Sequence, residues 1–312
     1  MQVMQPSQDN DKSAHTPGED TLPCVLSFNA NDAVGAGGLT SDALVMASIG
    51  THALPVATGA YLRDTRDASG WVAFPASAID EQARAVAEDV PLQTIKVGFL
   101  GSAEAVAMVA AFAADYADVP VIAFLPDLSW WDEPEIETYL DALRDLLLPQ
   151  TAVLVGNNTT LRHWLLPEST TDRRARPTEL ARAAAAHGVP YLLVTGLALE
   201  GDRVGNVLAS PDAELFSQAF ERIEAGFMGA GDILSAALAA LLATGSELTH
   251  ATAEALQYLD QALDHGFHPG MGRAVADRLF WAESDDPAEA EGDAPQGEPP
   301  IHIPNPSNDI QH

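Results

Sequence analysis

The chain has 312 residues, 47% of them hydrophobic, enough for one large domain with a sizeable core. Its 45 acidic and 15 basic residues give a formal net charge of −30, which makes nucleic acid and anionic membrane poor partners for the surface as a whole. The single cysteine, Cys24, excludes an internal disulfide and a Cys-rich zinc site. Residues 1–20 are polar and lack the apolar core of a signal peptide, and no apolar run is long and isolated enough to span a membrane. The sequence therefore reads as soluble and cytoplasmic.

Taken in order, residues 1–20 have a disordered composition, rich in Gln, Asp, Ser and Pro. Residues 24–28 predict a first strand, with Cys24 as a core residue. A small-residue loop, 29–38, follows, then a helix over 39–49 that ends at Gly50, a plausible C-cap. The loop does not fit Gly-x-Gly-x-x-Gly and no P-loop lysine follows, so neither a dinucleotide fold nor a Walker site is supported. Further strands are predicted at 52–59, 93–100, 119–125, 152–156 and 190–196. Helices are predicted at 79–89, 103–116, 134–148, 178–187 and 249–265, and segments 203–208 and 220–225 as paired strands. The alternation implies a mostly parallel sheet covered on both faces, with ligands at the carboxyl ends of its strands. That edge carries the loops after Phe28, Leu62, Leu100, Leu125, Gly156 and Gly196. Three segments result: a disordered 1–20, a folded domain at 21–282, and an acidic, Pro-rich disordered tail at 283–312.

The stretch from Gly226 to Leu238 carries the strongest chemical signal. Gly229-Ala230-Gly231-Asp232 runs into a helix that is apolar almost all round, so the helix should be buried. Its first N–H groups and its dipole suit a phosphate. Asp232 repels a resting phosphate but can take a proton from a hydroxyl, so the pair suggests phosphoryl transfer to an alcohol. The plainer alternative is an aspartate cap on a core helix.

The segment Asn31-Asp32, then Gly35-Ala36-Gly37-Gly38-Leu39 and Asp42, is similar to the Ser-Asp-Pro-Ser-Gly-Gly-Ala-Gly-Ile-Gln-Ala-Asp motif of the hydroxymethylpyrimidine/phosphomethylpyrimidine kinases. The similarity continues through Lys96-Val97-Gly98-Phe99-Leu100-Gly101-Ser102, Leu147-Leu148-Pro149-Gln150, Asn157, the Gly229–Asp232 loop and Gly270-Met271-Gly272. On these residues the chain resembles that family of thiamine biosynthesis. The resemblance implies a ribokinase-like three-layer α/β/α sandwich with a mostly parallel central sheet. It implies transfer of a phosphoryl group from ATP, with Mg2+, to the hydroxymethyl group of an aminopyrimidine, and a homodimer.

Carried over residue by residue, the resemblance implies Asp232 as catalytic base, with Gly229, Ala230 and Gly231 as the anion hole. It implies Asp32, Gly37, Asp42, Arg63 and Phe99 around the substrate ring, and Asn157, Thr195 and Gly196 at the ATP. No side chain is assigned to a metal. Turn-making and helix-capping are the alternatives for Asp32 and Asp42. Several positions depart from the family: Arg63 for its Gln, Phe99 for its Met, Thr160 for its Glu, Thr195 for its Lys and Asp232 for its Cys. Phe124 falls near the family's Asp-Pro segment, with Asp127 close by. A guanidinium cannot accept from an exocyclic amine, but it can bind a phosphate or carboxylate. Three readings stay open: a pyrimidine kinase, a kinase of another alcohol such as a pyridoxal-type ring, and a non-catalytic pyrimidine- or nucleotide-binding homologue. His52, His163, His187, His250, His265 and His268 are scattered and read as structural or exposed. Trp130-Trp131 reads as a pocket cap or a subunit contact.

Overall fold

Every residue of β1 (Cys24–Asn31) between its two ends is buried, on both sides of the strand. That is the pattern of a strand covered by helices on both faces. The computed structural model, which describes residues 21–166 and 175–282, shows this cover. β1 lies between β2 (His52–Arg63) and β4 (Thr94–Val97), parallel to both. The parallel run continues through β5 (Val121–Leu125), β6 (Val153–Asn157) and β7 (Tyr191–Leu199). β3 (Ala68–Ala73) closes one edge antiparallel to β2. β8 (Arg203–Ala209) and β9 (Glu214–Glu221) close the other, both antiparallel. The strand order is β3-β2-β1-β4-β5-β6-β7-β8-β9. β10 (Phe227–Met228) and β11 (Ala274–Val275) form a separate small parallel pair.

Alternation along the strands divides the core into two layers. Leu154, Leu192 and Val194 join the apolar layer beneath α2 (Ala76–Ala87), α3 (Ala103–Asp115), α4 (Glu133–Ala142), α5 (Asn158–Leu165) and α6 (Pro177–Ala185). Val25, Ile122, Val153, Val155 and Leu193 face the other side, where α1 (Gly38–Ile49), α7 (Ala230–Ala243) and α8 (Leu248–Asp264) pack. The result is the expected three-layer α/β/α sandwich with a mostly parallel central sheet. The described chain through Phe280 is one compact unit. The segments 1–20 and 283–312 lie outside the described residues.

Four local expectations need correction. β2 runs on to Arg63 and pairs with β3, which its Ser and Gly residues hid from a propensity reading. The partner of β8 is 214–221 rather than 220–225, because the chain turns tightly at Ser210 to Ala213. The long helix at 134–148 breaks into α4, one turn of π-helix at Leu143–Leu147 and a 3₁₀ turn at Leu148–Gln150, where Pro149 ends it. A helix at Asn158–Leu165, α5, was not anticipated; Asn157 caps it, its side chain accepting from Thr159 N–H at 2.9 Å.

Candidate active site

The inward stripe of α1 is Gly38, Ser41, Asp42, Val45 and Met46, spaced at three and four residues as a buried helix face requires. Asp42 thus sits in a buried stripe and must find partners inside. β1 and β4 supply them. Ser27 and Lys96 are register partners on neighbouring strands, and Asn29 lies two residues further along β1 on the same face. Ser27 Oγ donates to Asp42 Oδ2 at 2.6 Å, and Asn29 Nδ2 donates to the same oxygen at 2.9 Å. Lys96 Nζ donates to both Asp42 oxygens at 2.9 Å.

Lys96 also reaches across to α7. Its Nζ donates to Asp232 Oδ1 at 2.8 Å, and Asn29 Nδ2 donates to that oxygen at 2.8 Å. Asp232 Oδ2 accepts from Gly38 N–H at 3.1 Å. The side chains of Lys96 and Asp42 are 0% and 1% exposed, whereas that of Asp232 keeps 14%, so Asp232 alone of the three faces outward. Burial pushes the Asp232 carboxyl up, but the Lys96 charge and the donors around it outweigh burial and hold it below the ordinary value. Asp42, deeper in, is pushed up by burial, with the Lys96 charge only partly offsetting this. Burial lowers the Lys96 ammonium, yet the two carboxylates more than compensate and keep it charged.

Gly229 is the N-cap of α7, at φ +78°, a left-handed conformation that glycine adopts without strain. A Cβ there would overlap the carbonyl of Ala36, so glycine also lets the α7 loop close onto the first glycine loop. No side chain caps α7, which leaves the N–H groups of Ala230, Gly231 and Asp232 for an anion. Gly231 has the ring of Phe124, from β5, where its own side chain would stand.

Asp32, in the loop between β1 and α1, accepts from Val34 N–H at 3.2 Å and Gly37 N–H at 2.9 Å. Arg63, at the end of β2, grips the same carboxylate with two nitrogens, Nε to Oδ1 at 2.9 Å and Nη2 to Oδ2. The expected anion-binding arginine therefore already holds a buried partner. Its guanidinium also lies 4.4 Å from the centre of the Tyr61 ring. Tyr61 in turn stacks on Phe99, with centroids 5.4 Å apart and planes at 15°. Phe99 N–H donates to Asn29 Oδ1 at 3.1 Å, which ties this ring to the carboxylate cluster. Trp71, Trp130, Trp131 and Tyr139 pack edge-on or tilted around Phe99 within 5.6 Å.

The remaining predicted residues form their own corner. Asn157 and Thr195 are register partners on β6 and β7, and Asn157 Nδ2 abuts Gly196, which has φ +73°. Thr195 Oγ1 donates to the Gly156 carbonyl at 3.3 Å. The structure thus joins Asp32, Gly37, Asp42, Arg63, Gly229 and Asp232 directly, brings Phe99 in through Asn29, and sets Asn157, Thr195 and Gly196 together at a second place on the sheet edge. Sequence reasoning assigned no role to Asn29, Ser27, Tyr61 or Lys96. The signal for Lys96 was a cation inside the short buried strand Thr94–Val97, since lysine is almost never fully buried unless paired.

Asp42 and Asp32 are engaged by Lys96 and Arg63. Among the described residues no group of three or more His, Cys, Asp or Glu is placed to hold a metal ion. A cavity of about 810 Å³ lies beside the aromatic cluster, lined by Trp71, Ser102, Glu104, Trp130, Trp131 and Tyr139; Asp232 does not line it.

Solved structures share this architecture. Bacillus subtilis pyridoxal kinase, crystallised as an ADP complex, aligns with a TM-score of 0.74 at 19% identity, over 84% of this chain and 99% of that one. Phosphomethylpyrimidine kinase of Clostridium difficile aligns with a TM-score of 0.62 at 19% identity, over 77% of this chain and all of that one. Hydroxymethylpyrimidine/phosphomethylpyrimidine kinase of Streptomyces coelicolor is 30% identical over 266 residues, 84% of this chain and 96% of that protein. The thiamine biosynthesis multifunctional protein of Corynebacterium glutamicum is 26% identical over 260 residues, 81% of this chain and 33% of that protein. The protein is a kinase, a phosphotransferase whose acceptor is an alcohol. Residues 32–277 match the family model described as phosphomethylpyrimidine kinase, and the chain belongs to that family.

Proposed function

We propose that the chain transfers a phosphoryl group from ATP to the hydroxymethyl group of 4-amino-5-hydroxymethyl-2-methylpyrimidine, and then to the resulting monophosphate, in thiamine biosynthesis. The observation that carries this reading is the outward-facing Asp232 carboxylate in the first turn of an uncapped, buried helix. Asp232 takes the hydroxyl proton as the alkoxide oxygen attacks phosphorus. The N–H groups of Ala230, Gly231 and Asp232, with Gly229 shaping their loop, hold the charge that develops on the phosphoryl group. Gly37 and Arg63 bound the acceptor side, with the buried Asp32, Asp42 and Phe99 behind them; Asn157, Thr195 and Gly196 bound the nucleotide side. The residues here hold phosphates; magnesium would be carried by the nucleotide rather than by a protein cage. A cytoplasmic homodimer goes with this reading, with the half-buried Trp130–Trp131 pair as contact surface. Among the described residues no helix is long and apolar enough to cross a membrane.

One observation favours a second acceptor. Tyr61 covers Phe99, the residue assigned to the pyrimidine, so a ring alcohol of different outline, such as a pyridoxal-type one, is the alternative. Asp232→Asn tests the shared chemistry. It keeps the size but cannot take the proton, so turnover should fall about 10²–10⁴-fold, beyond anything the lost Lys96 ion pair does to the melting temperature. ADP production is measured with each alcohol in turn. Equal turnover by variant and wild type would sink Asp232 as base, and turnover with only the pyridoxal-type alcohol would replace the acceptor. No turnover by the wild type on any alcohol would favour a binding protein of kinase shape.

A further inference from the structure

The hydrogen bonds divide the two oxygens of Asp232 by task. A carboxylate oxygen has about two lone-pair sites. Oδ1 has both filled, by Lys96 Nζ and Asn29 Nδ2, each at 2.8 Å. Oδ2 has one filled, by Gly38 N–H at 3.1 Å, and its other side faces Gly37. Lys96 cannot turn away, because it is fully buried and both Asp42 oxygens hold it at 2.9 Å.

Charge accounting gives Asp42 a purpose. Asp42, Lys96 and Asp232 together carry one net negative charge, and a proton on Asp232 brings the cluster to neutrality. Without Asp42 the same proton would leave a buried cation unpaired, which is costly. The other charged or titratable groups facing Asp232 are Arg63 and Tyr61 from β2, and Arg63 is matched by Asp32. They add no uncompensated charge.

We propose that Asp42 and Lys96 form a fixed counter-charge unit that positions Asp232 and leaves Oδ2 as its proton-accepting oxygen. This rests on Asp232 being the base. In the step itself the substrate O–H bond breaks and its proton goes to Oδ2. The oxygen's electron pair forms the bond to phosphorus, and the bond from phosphorus to the nucleoside diphosphate breaks. Oδ2 then returns the proton to solvent. Asp42 and Lys96 touch no reacting atom; both are positioning residues.

The test is kcat against pH for the full chain, with ATP and the alcohol the wild type phosphorylates. Opposite shifts are expected. Asp42→Asn leaves Lys96 wholly to Asp232, so the acidic limb moves to lower pH and the plateau falls about tenfold as the base weakens. Lys96→Met moves the acidic limb up by about one pH unit or more. Should Lys96→Met fail to fold around an unpaired Asp42, the double variant Asp42→Asn/Lys96→Met removes both charges, and its limb lies above the wild-type one but below that of Lys96→Met alone. Active variants that keep the wild-type limb would overturn the unit while Asp232→Asn, still inactive, preserved the base. Full turnover by Asp232→Asn, or none by the wild type, would overturn both.

Discussion

Gly37 and Asp232 touch so closely that no side chain fits between them: a Cβ on Gly37 would lie 2.6 Å from Asp232 Oδ2 and 3.3 Å from Arg63 Nη2. Gly37 has φ −139° and ψ −156°, which any residue adopts, so the demand for glycine is steric rather than conformational. Without a Cβ, the first glycine loop can close against the side of Oδ2 that is not hydrogen-bonded. Gly37→Ala should therefore cost about 1–3 kcal/mol, the usual cost of overpacking, and abolish most turnover while the fold survives. Melting curves and ADP production check it; an alanine variant of unchanged activity would show that the reacting hydroxyl arrives elsewhere.

Arg63 makes a different case, because its charge is already matched. The Asp32 side chain is fully buried, and the Arg63 side chain 16% exposed. Arg63→Gln removes the two-nitrogen grip and leaves a buried carboxylate with only the Val34 and Gly37 N–H groups. Breaking such a pair costs about 3–5 kcal/mol when fully buried, less here because one partner meets solvent. Arg63→Lys should recover only part of the loss, since an ammonium lacks the planar fork. Chemical denaturation of the three proteins decides the order. A glutamine variant as stable as the wild type, with altered choice between neutral and anionic alcohols, would instead make Arg63 a substrate-reading residue.

These residues show where sequence reading reached and where it stopped. The strand–loop–helix at the start, the buried helix after Gly229-Ala230-Gly231-Asp232 and the sandwich itself followed from apolar spacing and glycine placement. The cluster around Asp232 did not, because its members come from β1, β4, α1 and α7 and meet only when strand register is fixed. Ser27 and Asn29 on one face of a buried strand, and Asp42 in the stripe of α1, were each visible as misplaced polar residues. Nothing in the sequence stated that they answer one another. Tyr61 was harder still, since it lies on the part of β2 beyond Gly59 that pairs with the unanticipated β3.

The cluster gives stability a defined pH window. Asp232 is held below the ordinary carboxylate value of 3.8, so its contribution is present above that value and is lost as pH falls through the lower, folded one. Lys96 is raised above 10.5, so its contribution is complete below 10.5 and is lost as pH climbs through the folded value. Asp42, raised by burial, opposes the first of these as pH rises above 3.8. Melting temperature against pH for wild type and Asp232→Asn should differ in the acid limb, the variant losing less on acidification. Superimposable acid limbs would mean that the Asp232–Lys96 contact contributes nothing net.

Gly231 and Phe124 provide a test of how the phosphate end is built. Gly231 lies in the first turn of α7, where alanine would ordinarily gain about 1 kcal/mol over glycine. Its Cβ would overlap the tip of the Phe124 ring, so the gain is opposed by a clash. The ring is only partly buried and packs on the α7 side of the sheet. Phe124→Ala alone should cost less than the about 3–5 kcal/mol of a fully buried ring. The two changes together should be better than their sum, because the smaller residue 124 leaves room for the new methyl. A coupling of about 0.5–3 kcal/mol, favourable in sign, is the expected result of the double-mutant cycle. Activity separates packing from chemistry in the same four proteins. If Phe124 only fills space, turnover follows stability across the cycle. If its ring shapes the bed for the phosphates, Phe124→Ala changes the KM for ATP even where the fold is intact. Strictly additive stabilities would show that the ring swings aside at no cost and does not press on α7.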